Sequence, residues 1–237
     1  MDINVKGTIV SNDDKWIYDW FEYEATCPKD IAEQLAKANG EDVTFIVNSG
    51  GGDVFAGNEI NYLISQYKGR TTADIVGIAA SIATVICCGA DSVRATAGAQ
   101  YMIHNVSGSA RGDYHTMDKM SEVLINANRT ISNTYRLKTG MSEKQLLALM
   151  DKETWLDAVK AKEYGFVDEI IGDDGVLSKP KSLYNASFVN IISDEVKEKI
   201  RNSIMNPDGQ SVGSQADSDF LVQKSKIQLE RMRGKLL

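Results

Sequence analysis

Residues 43–67 read VTFIVNSGGGDVFAGNEINYLISQY and contain the pattern of a strand, a turn and a helix. Val43–Val47 is a run of β-branched and apolar residues, which predicts a buried strand. The Gly-rich segment Asn48–Asp53 (NSGGGD) predicts a turn, and the apolar residues of Val54–Tyr67 recur at helical spacing. A strand that leads through a short turn into a helix packed back on the sheet is the repeating unit of α/β folds.

The same pattern recurs before and after this stretch. Ile3–Val10 alternates apolar and polar residues as a strand does, and Asp30–Asn39 has helical periodicity with an acidic N-cap. Thr71–Val76 predicts a second strand, which Gly77 breaks, and Ala80–Cys88 predicts a nearly all-apolar helix.

Further strands and helices follow in alternation. Strands are predicted at Ser92–Ala95, Gln100–His104, Thr154–Leu156 and Phe166–Ile171, and helices at Thr116–Thr139, Glu143–Met150 and Ala158–Tyr164. The long helix Thr116–Thr139 carries only a narrow apolar stripe, which favours an arm that touches a neighbour over a core helix. Together these units predict an α/β domain over about residues 1–172.

Composition narrows the class of protein. The net charge of −7 and the pI near 5.0 argue against a nucleic-acid surface, which needs a basic face. Three cysteines, of which Cys87 and Cys88 are adjacent, fit neither a disulfide framework nor a zinc site. The longest apolar run, Ile75–Ala90, is too short to span a bilayer, and Met1 does not open a signal peptide. We therefore expect a cytoplasmic protein with no metal, no cofactor and no membrane contact.

Beyond residue 172 the sequence changes character. Residues 173–205 predict a turn-rich C-terminal extension with a short helix at Ser193–Ile204. Residues 206–219 contain few large apolar side chains and predict a flexible linker. Residues 220–237 are basic and amphipathic and predict a tail helix.

The stretch GIAASIAT (77–84) places the hydroxyl of Ser81 among small and apolar residues, with no other polar side chain until Thr84. A serine in a helix commonly bonds back to a backbone carbonyl, so its position alone does not indicate catalysis. At a helix start, however, unpaired N–H groups such as that of Ile82 would stabilise an oxyanion beside Ser81. The small neighbours would let a peptide backbone approach, although the stretch is not the G-x-S-x-G elbow of α/β hydrolases.

The chain has two histidines, His104 and His115. A nucleophilic serine needs a base within hydrogen-bond reach, and histidine is the commonest one. A single histidine at a strand end is more often structural, but His104 is the better candidate because it ends a strand that returns to the sheet. The segment NSGGGD would present backbone N–H groups at the same sheet edge, where α/β folds place ligands.

Four motifs taken together resemble the Clp-type serine peptidases, and most of all their phage branch, the head maturation (prohead) proteases. They are NSGGGDVFAG (48–57), GIAASIAT (77–84), YMIHN (101–105) and KEYGFVDEI (162–170), in this order. The resemblance covers about residues 3–171. It implies a ClpP/crotonase-like spiral of ββα units with a protruding strand–helix handle at about 105–140. It also implies a homo-oligomeric ring, such as a heptamer or a double ring in which two rings stack around a chamber.

The resemblance also implies a catalytic triad. Its nucleophile is Ser81 and its general base is His104. The family has an acid, usually Asp, where this sequence has Glu153 in DKETWL. A glutamate can orient an imidazole as an aspartate does. Asp151 is the fallback acid, because residues two apart in an extended segment face the same way.

The substrate-binding groups carry over from the same motifs. The resemblance implies that the backbone N–H groups of Gly52 and Ile82 form the oxyanion hole. An extended peptide would add as a strand between two segments, with Gly51, Asp53 and Val54 on one side and Asn105 and Val106 on the other. Gly50 stands where many relatives have proline, so we expect a more flexible unbound loop.

Several functions are compatible with these motifs. The leading hypothesis is an ATP-independent serine endopeptidase that processes phage capsid or scaffold protein, because the chain reaches its first strand by Ile3 and continues well past Ile171. Residues 220–237 would then dock to capsid or scaffold, and the linker would be a self-cleavage region. The alternatives are a catalytically weak assembly protein, a cellular peptidase that works with an ATPase unfoldase, and a crotonase-like CoA enzyme.

Overall fold

The structure is a computed structural model that describes residues 1–172 and 192–205. The described chain forms two compact units, one of residues 1–19 and 23–172 and one of residues 20–22 and 192–205. The expected linker at 206–219 and tail helix at 220–237 lie outside the described residues.

The elements follow one another in a largely alternating order. They are β1 Asp2–Ile9, α1 Lys15–Trp20, β2 Ala25–Thr26, α2 Pro28–Ala38, β3 Val43–Gly52, α3 Val54–Ser65, β4 Thr71–Ala80, α4 Ile82–Cys87, β5 Ser92–Thr96, β6 Gln100–Ile103, α5 Tyr114–Thr139, α6 Glu143–Asp151, β7 Thr154–Asp157, α7 Ala158–Glu163, β8 Glu169–Ile171 and α8 Asp194–Met205. The second unit contains α8, which confirms the helix predicted at Ser193–Ile204.

The eight strands in the described residues form one sheet. Its main path is β2-β1-β3-β4-β5-β8, and β6 branches from β4 and carries β7 at its other edge. The β6–β7 pair is antiparallel and the other pairs are parallel. This confirms the α/β class, because parallel neighbours need the helical crossovers that the sequence pattern predicts.

The core lies between the central strands and the helices that cross over them. Six strand residues are at most 1% exposed to solvent: Ile3, Val5, Phe45, Val47, Ala73 and Ile75. Ile31 of α2 and Ile60 of α3 belong to the same buried cluster. Burial of each large aliphatic side chain stabilises the fold by about 1.5–3 kcal/mol. No helix in the described part of the chain is long and apolar enough to cross a membrane.

Several boundaries predicted from the sequence are wrong, including that of the strand predicted at Phe166–Ile171, which begins only at Glu169. The NSGGGD segment is not a turn, because β3 continues through it to Gly52. Gly77 does not break its strand, because β4 runs on to Ala80. Helix α2 begins at Pro28 after the N-cap Cys27, and Asp30 is its third residue, accepting a hydrogen bond from the Cys27 N–H at 3.4 Å.

The region around Gly77 is where β4 changes neighbours. Its first half pairs with β5 up to Ile75, and its second half pairs with β6 from Ile78. The Asn48 side chain of β3 accepts a hydrogen bond from the Ile78 N–H at 3.2 Å. A Cβ on residue 77 would lie 2.4 Å from Asn48 Oδ1, so a larger residue would displace the Asn48 side chain from its hydrogen bond to Ile78.

Helix α5 is long and largely exposed. Of its 26 residues, Ile131, Ser132 and Tyr135 are the buried ones, all near the C-terminal end. This confirms the narrow apolar stripe. The helix ends at Gly140, which has the left-handed conformation common at C-caps.

Candidate active site

Ser81 lies between the end of β4 and the first residue of α4. Its backbone has φ 56° and ψ −129°, a region that L-residues rarely adopt. Such a conformation costs about 1–3 kcal/mol and persists only where the surroundings hold it. The helix therefore begins at Ile82 and not at the predicted Ala80, and the serine occupies a strained strand-to-helix junction.

His104 lies immediately after β6. Strand β6 pairs in parallel with the end of β4, with Ala80 opposite Met102, and the Ser81 N–H donates to the Met102 carbonyl at 2.9 Å. This register brings His104 Nε2 to 2.8 Å from Ser81 Oγ. Two residues 23 positions apart thus meet as a nucleophile and a base must.

The surroundings of His104 favour its neutral form. Partial burial lowers the pKa of the imidazole, and the negative charge of Glu153 opposes this shift. A neutral imidazole can accept the hydroxyl proton of Ser81, so the lowered pKa keeps the base available at neutral pH.

The two candidate acids lie at the exposed end of α6, Asp151 as the last residue of the helix and Glu153 in the turn that leads to β7. The side chain of Glu153 accepts a hydrogen bond from Trp155 Nε1 at 3.4 Å, and that of Asp151 accepts one from Asn105 Nδ2 at 2.9 Å. Among the described residues, neither carboxylate makes a hydrogen bond to His104. The negative charge of Glu153 acts to raise the pKa of His104, against the larger opposite effect of burial. This interaction favours Glu153 over Asp151 as the acid that supports His104.

Gly51 brings β3 against the serine. It has φ 97°, and a Cβ there would lie 2.8 Å from Ser81 Cβ and 3.2 Å from the Ile82 nitrogen. Any larger residue would collide with the junction, so the glycine is needed for both its backbone conformation and its size. The Gly51 N–H donates to Ser49 Oγ at 3.1 Å.

A cavity of about 220 Å³ opens beside Ser81 and His104. Gly52 and Ile82, the predicted oxyanion donors, both line it. Its other walls are largely apolar and are formed by Val54, Val85, Met102, Val106, Ile131 and Tyr135. The size and polarity of the cavity suit one apolar side chain of a peptide.

The other predicted binding residues occupy different positions. The Asp53 carboxylate caps α3 by accepting from the Ala56 N–H at 2.7 Å, so its side chain is engaged away from the cavity. Asn105 Oδ1 is buried and has no hydrogen-bond partner within the described residues. The Val106 N–H donates to Asn128 Oδ1 of α5 at 2.7 Å. Asn128 has no signal in the sequence, because its contact depends on how α5 docks.

Comparison with known proteins places the chain in a family. The family model described as Clp protease matches residues 22–174, which is more than half of the chain. The chain belongs to the Clp protease family. Its relatives in the Clp protease family indicate a peptidase of the hydrolase class.

Curated members of the Clp protease family show the same relationship. The ATP-dependent Clp protease proteolytic subunit 1 of Chlamydia abortus is 30% identical over 136 residues, covering 56% of this chain and 71% of the relative. The protein of the same name from Chlamydia muridarum is 29% identical over 162 residues, which cover 64% of this chain and 84% of the relative. The proteolytic subunit from Streptococcus pneumoniae is 30% identical over 145 residues, covering 60% and 74%.

Proposed function

We propose that the protein is a serine endopeptidase in which Ser81 is the nucleophile and His104 the general base. The observation that carries this proposal is the 2.8 Å contact between Ser81 Oγ and His104 Nε2 beside the apolar cavity. A structural serine would not need a strained backbone to reach a histidine.

The proposed reaction proceeds through an acyl-enzyme. Ser81 Oγ attacks the scissile carbonyl carbon while His104 Nε2 takes the hydroxyl proton. The backbone N–H groups of Ile82 and Gly52 would bind the oxyanion that forms. When the C–N bond breaks, His104 returns the proton to the leaving amine. A water molecule, deprotonated by His104, then releases the acyl group and restores Ser81.

Glu153 is the proposed third member of the triad. Its negative charge stabilises the protonated form of His104, which is the form that develops during attack. It acts across an exposed turn, where solvent weakens its effect.

The proposed substrate is an extended polypeptide. It would lie between the Gly51–Val54 segment and the Asn105–Val106 segment, with one apolar side chain in the cavity. Asn105 Oδ1 is buried and has no partner in the part of the chain that the structure describes, so it is an acceptor that a substrate N–H could satisfy. Main-chain recognition of this kind is tolerant of substrate sequence.

For the biological role we propose ATP-independent processing of a phage capsid or scaffold protein by a cytoplasmic homo-oligomeric ring. The alternative is a proteolytic subunit that works with an unfoldase, which the ATP-dependent Clp protease relatives favour. The first role would be supported by cleavage of an unfolded polypeptide without ATP. Genes for capsid and portal proteins beside this one would also support it. Cleavage that requires a AAA+ unfoldase and ATP would support the second.

The chemistry is tested with a fluorophosphonate probe, read by mass spectrometry. We expect labelling at Ser81 in the wild-type protein, none in Ser81→Ala, and a loss of at least about 10³-fold in rate for His104→Ala. A folded, assembled wild-type protein that is never labelled would contradict the proposal and favour an assembly role without catalysis.

A further inference from the structure

Two buried hydroxyl groups connect helix α5 to the backbone of Ser81. Thr84 Oγ1 lies 2.5 Å from the Ser81 carbonyl oxygen and 2.6 Å from the Tyr135 hydroxyl. Thr84 is 0% exposed and Tyr135 is 1% exposed, so neither hydroxyl can turn to water instead. Thr84 Oγ1 therefore links the Tyr135 hydroxyl to the Ser81 carbonyl by two buried hydrogen bonds.

The chemistry of the groups fixes the direction of these bonds. A carbonyl oxygen only accepts, so the single hydroxyl proton of Thr84 goes to Ser81. Thr84 Oγ1 then accepts, and the Tyr135 hydroxyl donates to it. Burial raises the pKa of the Tyr135 phenol, so this donor keeps its proton at neutral pH.

The Ser81 backbone is the group that needs such support. Its φ of 56° is unfavourable for a residue with a side chain. On one side its N–H donates to the Met102 carbonyl at 2.9 Å. On the other side its carbonyl accepts from both the N–H of Thr84, at 3.0 Å, and the Thr84 hydroxyl. Thr84 thus holds the peptide group that joins Ser81 to α4.

We propose that Thr84 and Tyr135 are a positioning pair that holds the strained backbone of Ser81 and so aims its hydroxyl at His104. The proposal rests on the proposed function, since it assigns the pair a role in that reaction. Thr84 acts through the Ser81 carbonyl, and Tyr135 acts through Thr84. Neither hydroxyl supplies a proton to the substrate.

The first test separates the hydroxyl of Thr84 from its shape. Thr84→Val keeps the volume and removes the hydrogen bond to Ser81, whereas Thr84→Ser keeps the bond and removes a methyl group. The measurements are the rate of Ser81 labelling by the fluorophosphonate probe, kcat and KM for a peptide substrate, and Tm. We expect Thr84→Val to lower the labelling rate and kcat about tenfold with KM little changed, as loss of one buried hydrogen bond allows, while Thr84→Ser stays within about twofold of wild type.

The second test asks whether Tyr135 acts through Thr84. We expect Tyr135→Phe alone to lower kcat about threefold, and to cause no further loss when added to Thr84→Val, because coupled residues are not additive. Ser132→Ala is the matched control. Ser132 is equally buried on the same helix, but its hydroxyl donates to the Arg129 carbonyl at 2.8 Å. It should affect Tm and leave the labelling rate unchanged.

Three outcomes would overturn the inference. They are a wild-type labelling rate in folded Thr84→Val, equal losses in Thr84→Ser and Thr84→Val, or fully additive losses in the double variant. If Thr84→Val does not fold, a labelling rate in Tyr135→Phe equal to that of Ser132→Ala would overturn it. In each case a wild-type protein that labels at Ser81 leaves the proposed function standing, whereas a wild-type protein that never labels removes both.

Discussion

Ser81 and Glu153 both have a positive φ, of 56° and 48°, but the two regions hold them by different means. Ser81 is fixed by hydrogen bonds on both of its peptide groups, in a junction formed by β3, β4, β6 and α4. Glu153 is exposed just after α6, where its N–H bonds back to Met150 and a left-handed residue is common. Strain in the serine region therefore points to function, whereas strain in the acid region follows from the end of a helix.

The largest effect should come from crowding the serine region. Gly51→Ala places a methyl group 2.8 Å from Ser81 Cβ at a φ of 97°, so the junction must shift. We expect peptidase activity to fall about 100-fold, as misplacement of a reacting group by about 1 Å allows. Activity of the purified, folded variant on a peptide substrate measures this.

Gly40→Ala is the control for that substitution. Gly40 also has a positive φ, of 90°, but a Cβ there meets no atom within 4 Å. It should lower Tm while leaving the activity of the folded protein intact. Equal activity of the Gly51 and Gly40 variants would show that the junction tolerates displacement.

An intermediate effect should come from the acid region. Glu153→Gln removes the charge that supports protonated His104, and we expect kcat/KM to fall about tenfold, less than for a buried triad acid because the turn is exposed. Asp151→Asn should cost about twofold or less, since that carboxylate bonds to Asn105. A larger loss in Asp151→Asn than in Glu153→Gln would transfer the role to Asp151.

The smallest effect should appear in the pH dependence. Burial lowers the pKa of His104 below the value near 6.5 of a free histidine. Because the proposed reaction needs the neutral imidazole, activity should persist to a lower pH than it would with an unperturbed histidine. In Glu153→Gln the opposing charge is gone, so the acid limb of kcat/KM should move further down. Profiles measured from acid to neutral pH test this, and an upward shift in the variant would be inconsistent with the electrostatic role of Glu153.

The sequence was sufficient for features that depend on local pattern. Strand β3 and helix α3 follow from hydrophobic periodicity over 43–67, and the scarcity of histidine points to His104, whose Nε2 lies 2.8 Å from Ser81 Oγ. The ends of elements were harder, since a glycine run is as compatible with a crowded strand as with a turn. NSGGG remains extended because β1 and β4 pair with it on both sides.

The parts of the site that could not be predicted depend on contacts between distant segments. Thr84 and Tyr135 are 51 residues apart, and Val106 and Asn128 are 22 apart. Tyr135 and Asn128 both lie on the face of α5 that packs against the rest of the domain. The register of the sheet, and not any sequence motif, determines which residues they contact. The strained backbone of Ser81 could not be predicted from the sequence either. The small residues beside it indicate that a substrate can approach the serine, but they do not specify its dihedral angles.

The positive φ of Ser81 has a consequence for how this protein can change during evolution. Glycine at position 81 would relieve the conformational strain, so the most stable sequence at this position is one without the proposed nucleophile. Selection for stability of the fold and selection for peptide cleavage therefore favour different residues at position 81. A lineage that no longer needed cleavage would gain stability by losing this serine first.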